Sequence, residues 1–422
     1  MASQIEDGGQ NSHGNLPPAT PAYVFRGHTS AVNALHFFSN NAYLASADAD
    51  GWIVVWSLVT RRPNAVWRAH QGGILGIKNW GETTLITHGR DHALRVWQLR
   101  EKDFESLGKI LPAQQRPDRV ENEPWLLHSM PVNALNFCAF AMHELTSEDS
   151  DRLLAEPFNV PMVDLPTGAY NPALVGCPNA IDSGGIDLFH LPSERRVCQL
   201  KADQSVKTGM VMVLAFSFDQ RCKQLVVVSG YEDGHVIVQR RLPPDPQGPW
   251  LWEKIYIYRA HIQPVLGLDV SSDRSFLSSS ADALLVKHPL ASTDFMTGSA
   301  EPVRTVNTKH AGQQGLVVRD DDKIFATAGW DARLRVYSVK TMQELAVLKW
   351  HKEGCHCVTF AATILRTQPS AGAEVSLPAS QALKPATSAL VQIKHNRTNK
   401  SQHTHWLAAG GKDGKVTLWD IY

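Results

Sequence analysis

The fold is decided by residues 50–56, DGWIVVW, in which an acid in a turn is followed six residues later by the aromatic end of an apolar run. The same six-residue interval from an acid to an aromatic ring recurs in DHALRVW at 91–97, DARLRVY at 331–337 and DGKVTLW at 413–419. Apolar and polar residues alternate near each copy, which is typical of β-strands. The chain is therefore a repeat of strands and turns.

Three further copies keep the spacing and lose one of its ends: DGHVIVQ at 233–239, DALLVKH at 282–288 and SGGIDLF at 183–189. Short apolar runs flank each copy, so every unit reads as a meander of four antiparallel strands. Seven such sheets predict an all-β, seven-bladed β-propeller. The last copy has no fourth strand after it, and residues 22–25 at the start of the chain are expected to complete that blade and close the ring.

A histidine and a hydroxyl residue precede the aromatic end at fixed distances. His28 lies 28 residues before Trp56, and Ser46 lies ten before it. A buried indole N–H needs an acceptor, a hydroxyl can accept and donate, an imidazole can relay, and a carboxylate can end the series. The sequence therefore predicts structural, non-catalytic hydrogen-bond networks in three blades: His28, Ser46, Asp50 and Trp56; His70, Thr87, Asp91 and Trp97; and His310, Thr327 and Asp331 with Tyr337.

Composition and motifs argue against an enzyme or a nucleic-acid binder. Lys plus Arg and Asp plus Glu each number 41, so no global charge favours nucleic acid or a membrane. The common nucleotide, zinc-protease and hydrolase motifs are missing from the sequence. Cys355 and Cys357 resemble metal ligands, but on a strand His356 would point to the opposite face. We expect no catalysis, no metal and no cofactor.

Two insertions interrupt the period. An acidic one is expected over about 141–173, after a first strand at 131–140, and a basic one over about 363–402. Both are predicted on the face opposite the turn acids, as docking surfaces or as solvated loops without a partner. Residues 1–20 are expected to form a disordered tail, and 21–422 a single propeller domain.

On the other face, the residue before each turn acid is expected at the rim of the central channel. Four of these positions suggest contact with a partner protein: Arg90, Glu232, Trp330 and Lys412. Trp330 is the strongest of them because exposed aromatic side chains often anchor protein interfaces. The alternative is that Trp330 packs against its own turn.

Gly27-His28 and the terminal Trp419-Asp420 resemble the signature of WD-repeat (WD40-type) proteins, and the resemblance covers nearly the whole chain. With its irregular blades, its long inserts in blades three and seven and its LWDIY ending, the chain resembles the fungal ASTRA-associated protein 1 family. That resemblance implies a scaffold subunit of the nuclear ASTRA complex, linked to chromatin remodelling and to the co-chaperone machinery that matures phosphatidylinositol-3-kinase-related kinases. It implies protein partners, without direct nucleic-acid or membrane binding, for a chain that is monomeric by itself.

A substrate receptor of a cullin-type ubiquitin ligase is the alternative. That family places an acid directly after a frame Trp and an Arg three residues after it. Arg100 stands in the correct place after Trp97, but Gln98 replaces the acid. A G-protein β subunit fits less well because the N-terminal residues lack a charged heptad helix.

Overall fold

The computed structural model forms a ring of seven four-stranded antiparallel sheets. The all-β, seven-bladed propeller predicted from the repeat is therefore confirmed. The residues that the structure describes are 19–116, 121–134, 137–146, 170–219, 224–242, 250–290, 301–364 and 389–421. In this part of the chain, no helix is both long and apolar enough to cross a membrane.

Four strands, consecutive in sequence, pair in order within each of the first six blades. Blade 1 holds β2 (Val32–Phe38), β3 (Tyr43–Asp48), β4 (Trp52–Ser57) and β5 (Pro63–Arg68). Blade 2 holds β6 (Ile74–Asn79), β7 (Thr84–Gly89), β8 (Ala93–Gln98) and β9 (Trp125–Pro131). Blade 3 holds β10 (Ala141–Glu144), β11 (Ala173–Pro178), β12 (Ile186–Leu191) and β13 (Arg195–Leu200).

The remaining blades follow the same plan, with one exception at the end of the chain. Blade 4 holds β14 (Val211–Asp219), β15 (Gln224–Tyr231), β16 (His235–Arg241) and β17 (Trp252–Arg259). Blade 5 holds β18 (Val265–Ser271), β19 (Ser275–Ser280), β20 (Leu284–Pro289) and β21 (Arg304–Asn307). Blade 6 holds β22 (Gln313–Val318), β23 (Ile324–Gly329), β24 (Arg333–Ser338) and β25 (Glu344–Lys349). Blade 7 holds β26 (Cys355–Phe360), β27 (Trp406–Gly411), β28 (Lys415–Asp420) and the N-terminal β1 (Tyr23–Arg26).

The first strands line the centre of the ring. β2 contacts both β6 and β26, and β18 contacts both β14 and β22. The apolar core lies between blades, because each sheet covers a face of its neighbour. Ala45 and Ile53 of blade 1, for example, share one buried cluster with Leu85 and Trp97 of blade 2. Middle strands such as β7 are buried along their whole length.

The two ends of the chain close the ring, as the sequence predicted. β1 pairs antiparallel with β28, from Tyr23 opposite Leu418 to Arg26 opposite Lys415. Phe25 of β1 is only 2% exposed, and its ring centroid lies 4.9 Å from that of Trp56 in blade 1. The N-terminal strand therefore completes blade 7 and packs against the next blade.

The first strand predicted at 131–140 is wrong. β9 ends at Pro131, and no strand forms over 132–134 or 137–140; the first strand of blade 3 is β10, inside the range assigned to the insertion. The apolar alternation has another cause, since Val132 and Phe140 are buried against blade 2 and Cys138 is buried in a blade 3 cluster. The insertion therefore runs between β10 and β11, and 147–169 lie outside the described residues.

The two ends of the blade 7 insertion are held together by the side chain of Asn41. Asn41 donates to the carbonyls of Ala362 at 2.7 Å and Gln402 at 3.1 Å, and it accepts from the Ala362 N–H at 3.0 Å. A 15-residue helix, α1 (Ala389–His403), leads into β27. Residues 365–388 of this insertion, and 1–18 of the predicted tail, lie outside the described residues. Two short 3₁₀ helices, Glu101–Glu105 and Pro112–Gln114, lie between β8 and β9.

We expect the Phe25→Ala variant to lose about 3 kcal/mol of unfolding free energy, because it leaves a cavity between the closing strand and blade 1. Urea denaturation would measure the loss. The matched control is Tyr23→Ala on the same strand, where the ring is 38% exposed and truncation should cost about 1 kcal/mol or less. Equal losses at both positions would contradict closure through Phe25.

Candidate functional site

The first predicted network forms a buried series in blade 1. The indole Nε1–H of Trp56 donates to Ser46 Oγ at 2.8 Å. Ser46 Oγ and His28 Nε2 are 2.7 Å apart, and His28 Nδ1 lies 2.7 Å from a carboxylate oxygen of Asp48. If the hydroxyl donates to Nε2 and Nδ1–H donates to the carboxylate, every bond has one donor and one acceptor.

The carboxylate in this network is Asp48, and the sequence assignment to Asp50 is wrong. Asp48 is fully buried, and its second oxygen accepts the backbone N–H groups of Asp50 and Trp52 at 3.0 Å each. Asp50 is exposed in the turn. Blade 2 shows why the two acids could be confused: its equivalent of Asp48 is Gly89, where a Cβ would clash with the ring of His70. The carboxylate that contacts the network histidine therefore comes from the first position in blade 1, as Asp48, and from the second position in blade 2, as Asp91.

Blade 2 holds the predicted set. His70 Nδ1 lies 2.8 Å from Asp91, His70 Nε2 lies 2.7 Å from Thr87 Oγ1, and Trp97 Nε1–H donates to Thr87 at 3.0 Å. Arg95 adds an ion pair with Asp91 at 2.8 Å. Burial raises the pKa of Asp91, but hydrogen bonds from Arg95, the Gln71 N–H and His70 outweigh it and lower the pKa to about 2. The aspartate is therefore fixed as an anion.

The network predicted in blade 6 does not assemble as expected. His310 is 40% exposed at its side chain, and its Nδ1 lies 4.0 Å from Asp331, beyond hydrogen-bond distance. Thr327 instead donates to Gln313 Oε1 at 2.7 Å, and Gln313 is fully buried. Asp331 is bound by the guanidinium of Arg335 at 2.6 Å. Gln313 therefore takes the place that His28 occupies in blade 1.

Blade 7 contains a complete network that the sequence reasoning missed. His351 contacts Asp413 at 3.1 Å and Thr417 Oγ1 at 3.0 Å, and Trp419 Nε1–H donates to Thr417 at 3.0 Å. The usual hydroxyl position holds Ala409, which pairs directly with Thr417 across β27 and β28. A hydroxyl on the partner strand reaches the same point, so Thr417 two residues before Trp419 is the signal that could have revealed it.

Blade 5 extends the same design with a second histidine in place of the indole. His261 contacts Asp282 at 3.1 Å and Ser278 at 2.8 Å, Ser278 contacts His288 Nε2 at 2.9 Å, and His288 Nδ1 lies 2.9 Å from the Tyr256 hydroxyl. With Tyr256 donating, each link again has one donor. Burial lowers the pKa of His288 well below 6.5, so its imidazole stays neutral and Nδ1 remains an acceptor.

All four residues predicted to contact a partner are exposed on one face. We call it the turn face; it carries the turns between second and third strands and the connections between blades. The Arg90 guanidinium lies 4.7 Å from the ring of Phe137, and Glu232 accepts the Met210 N–H at 3.2 Å. Trp330 is 49% exposed and donates to Gln314 at 2.8 Å.

Trp330 also packs closely against two glycines of neighbouring loops. A Cβ added at Gly312 would clash with the Trp330 ring, and a Cβ added at Gly354 would lie 3.1 Å from the Trp330 Cα. Three exposed apolar side chains on the turn face were missed: Phe137 at 61%, Ile181 at 97% and Ile262 at 76%. Ile181 and Ile262 lie in loops between strands, where an apolar side chain does not contribute to the buried face of a strand. An isoleucine at such a position is a sequence signal that could have identified them as exposed contacts. Together these residues give the turn face apolar contacts on blades 3, 5 and 6 and at the junction of blades 2 and 3.

The cysteine pair has the environment of core residues. Cys355 is fully buried, and burial raises the pKa of its thiol, as it raises that of Cys357 to about 12. His356 Nδ1 lies 3.4 Å from Asn33. Among the described residues, no group of three or more His, Cys, Asp or Glu side chains is placed to hold a metal ion.

Comparison with known proteins places these features in one family. A family model described as ASTRA-associated protein 1 matches residues 21–419. A protein of that name from Aspergillus niger is 47% identical across 96% of this chain and 98% of its own length. Relatives of the same name from Penicillium rubens and Schizosaccharomyces pombe are 46% and 33% identical, covering 96% and 81% of this chain and 98% and 93% of their own lengths.

Replacing Asp48 by Asn should cost about 2 kcal/mol of unfolding free energy, because the charge that holds His28 and two backbone N–H groups is removed. The same change at exposed Asp50 should cost less than about 0.5 kcal/mol. Urea denaturation of both variants measures the difference. A larger loss from Asp50→Asn would restore the assignment made from the sequence.

Stability should fall as the pH is lowered from 6.5 towards 4. Burial lowers the pKa of His36 and of His88 to about 4, whereas an unfolded histidine titrates near 6.5. The unfolded chain therefore binds protons that the folded chain refuses, so the stabilisation is complete above pH 6.5 and is lost as the pH approaches 4. Each histidine should contribute a loss of roughly 2 kcal/mol between pH 7.5 and 5. Urea denaturation at both values tests this, and a His88→Leu variant with an unchanged pH dependence would refute it for His88.

Proposed function

Because this chain belongs to the ASTRA-associated protein 1 family, we propose that it is a non-catalytic scaffold subunit of the ASTRA complex. The observation that carries the proposal is the family match over 21–419, which spans all seven blades and both ends of the closed ring. The relatives from Aspergillus niger and Aspergillus flavus carry the same printed name, and each aligns with 96% of this chain. Association with the ASTRA complex comes to this chain from that name.

The polar networks support a scaffold over an enzyme. Ser46, His28 and Asp48 stand in the order of a hydrolase triad, but Ser46 is fully buried and its oxygen already accepts the indole N–H of Trp56. Ser278 of blade 5 is likewise fully buried between two histidines. A substrate carbonyl cannot reach either hydroxyl, so these groups stabilise blades instead of attacking a substrate.

We extend the proposal to the nucleus, to chromatin remodelling and to the maturation of phosphatidylinositol-3-kinase-related kinases, with the chain monomeric by itself. The support is the family relationship. The turn face is the proposed docking surface for other subunits, since Trp330, Phe137 and Ile262 expose apolar area beside the charged Arg90 and Lys412.

The geometry of the described residues around Arg100 does not favour the cullin-receptor alternative. Arg100, the residue that suggested it, is paired with Asp103 at 2.8 Å at the start of a 3₁₀ helix. Its guanidinium is therefore engaged within the chain, and Gln98 still lacks the acid that the receptor pattern requires.

Tagged wild-type protein, Trp330→Ala and Trp125→Ala should be isolated from the native cell at modest salt, and their partners quantified by mass spectrometry. We expect the wild type to recover ASTRA subunits. The Trp330→Ala variant should recover at least fivefold less of these subunits, because it lacks an aromatic anchor. Trp125 is 73% exposed on an outer strand away from the turn face, so Trp125→Ala should retain them.

Thermal unfolding of all three proteins separates lost contact from lost folding. Recovery of a cullin adaptor in place of ASTRA subunits would overturn the proposed function. Recovery of ASTRA subunits by Trp330→Ala at wild-type levels would keep the function and remove Trp330 from the docking surface.

A further inference from the structure

A cavity of about 360 Å³ lies on the face opposite the turn face. It is lined by the ends of β2, β6, β22 and β26 and by the turns or loops that follow three of them, so blades 1, 2, 6 and 7 all contribute. Ligand sites in proteins commonly range from about 300 to 1,000 Å³. This one, which we call the mouth cavity, has room for one or two side chains.

One charge in the mouth cavity has no counterion among the described residues. Asp320 is exposed, and its carboxylate accepts the N–H and the hydroxyl of Thr363 at 2.8 and 2.7 Å. The two acids that follow it are engaged differently: Asp321 forms an ion pair with Arg319 at 2.7 Å, and Asp322 accepts the hydroxyl of Ser271 at 2.6 Å. A carboxylate can accept about four hydrogen bonds, so Asp320 has the capacity to accept about two more from a ligand.

His36 offers a second acceptor. Its ring Nε2 lies 2.6 Å from Asn79 Oδ1, and the amide nitrogen of Asn79 donates to the carbonyl of Gly81 at 2.9 Å. Asn79 Oδ1 is therefore the acceptor and Nε2–H is the donor, and the lone pair on Nδ1 of the imidazole has no partner among the described residues. Burial holds the ring neutral by lowering the pKa of His36 to about 4.

The remaining lining of the mouth cavity is largely apolar. The two neighbouring charges on first strands, Lys78 and Asp269, are of opposite sign. Phe37, Val317 and Phe360 supply hydrocarbon surface beside the polar groups. Lys78 on β6 and Asp269 on β18 carry opposite charges that attract each other. The positive charge of Lys78 also contributes to the lowered pKa of His36. The mouth cavity therefore combines one unbalanced negative charge, a neutral acceptor and apolar walls.

We propose that the mouth cavity binds an arginine side chain carried by an extended segment of a partner protein. A guanidinium has five N–H donors in a planar fork, which suits a carboxylate together with a second acceptor, and the arginine stem would cover the apolar wall. A lysine would bring only a point charge. The mouth cavity lies on the face opposite Trp330, so arginine binding there can be tested independently of the proposed ASTRA function.

The full chain, labelled with ¹³C in its valine methyl groups, should be titrated with the blocked tripeptide acetyl-Ala-Arg-Ala-amide. We expect saturable shifts of the Val317 and Val318 methyl signals with a millimolar Kd, which suits one anchored side chain. The citrulline version of the peptide keeps the shape and loses the charge, and it should bind at least tenfold more weakly. The Asp320→Asn protein should lose at least tenfold in affinity for the arginine peptide.

Asp50→Asn is the matched control, because it removes the same charge from an exposed aspartate on the turn face and should bind as the wild type does. Thermal unfolding checks that both variants are folded. The proposal is overturned if wild type shows no shifts at 20 mM peptide, if Asp320→Asn binds equally well, or if citrulline binds as tightly as arginine. Binding that appears only after deletion of 366–387 would also overturn it, by assigning the cavity to the chain's own segment.

Discussion

The whole ring depends on one constraint: each four-stranded sheet must have both faces covered, and only the neighbouring blades can cover them. The apolar clusters accordingly combine residues of two adjacent blades, as Val54 and Trp56 of blade 1 do with Ala408 and Leu418 of blade 7. An open ring would expose two such faces at once, each of them a large apolar surface. The pairing of β1 with β28 therefore completes blade 7 at the place where an open ring would expose these two faces.

Within that packing, the polar networks solve a local problem. A buried N–H at the end of a third strand needs an acceptor, and a hydroxyl that accepts it must in turn donate to something. Blades 1, 2 and 7 use Trp, a hydroxyl, His and Asp, whereas blade 5 replaces Trp97's counterpart with His288 and adds Tyr256. The order of donors is preserved although the residues change. The same donor order therefore stabilises blades 1, 2, 5 and 7 with different residues.

The sequence was sufficient for the features that depend on a fixed spacing along one blade. Seven copies of the interval gave the number of blades, and the missing last strand gave the closure with β1. It could not distinguish Asp48 from Asp50, because the carboxylate comes from the Asp48 position in blade 1 and from the position equivalent to Asp50 in blade 2. The repeat pattern missed Gln313 and Thr417, because each supplies a required group from a sequence position outside the expected spacing. The sequence could not predict the mouth cavity, since Asp320 and His36 come to line the same cavity only after blades 1, 6 and 7 are brought together by ring closure.

The polar networks of the ring stabilise its own blades. We propose that the surface of the ring binds the other subunits of a multiprotein ASTRA assembly. The most direct test is size-exclusion chromatography of native cell extract at low salt, with the endogenous chain and ASTRA subunits quantified by mass spectrometry in every fraction. We expect the chain to elute with those subunits, well ahead of the position of the free monomer. Elution of the whole pool as a free monomer would contradict it.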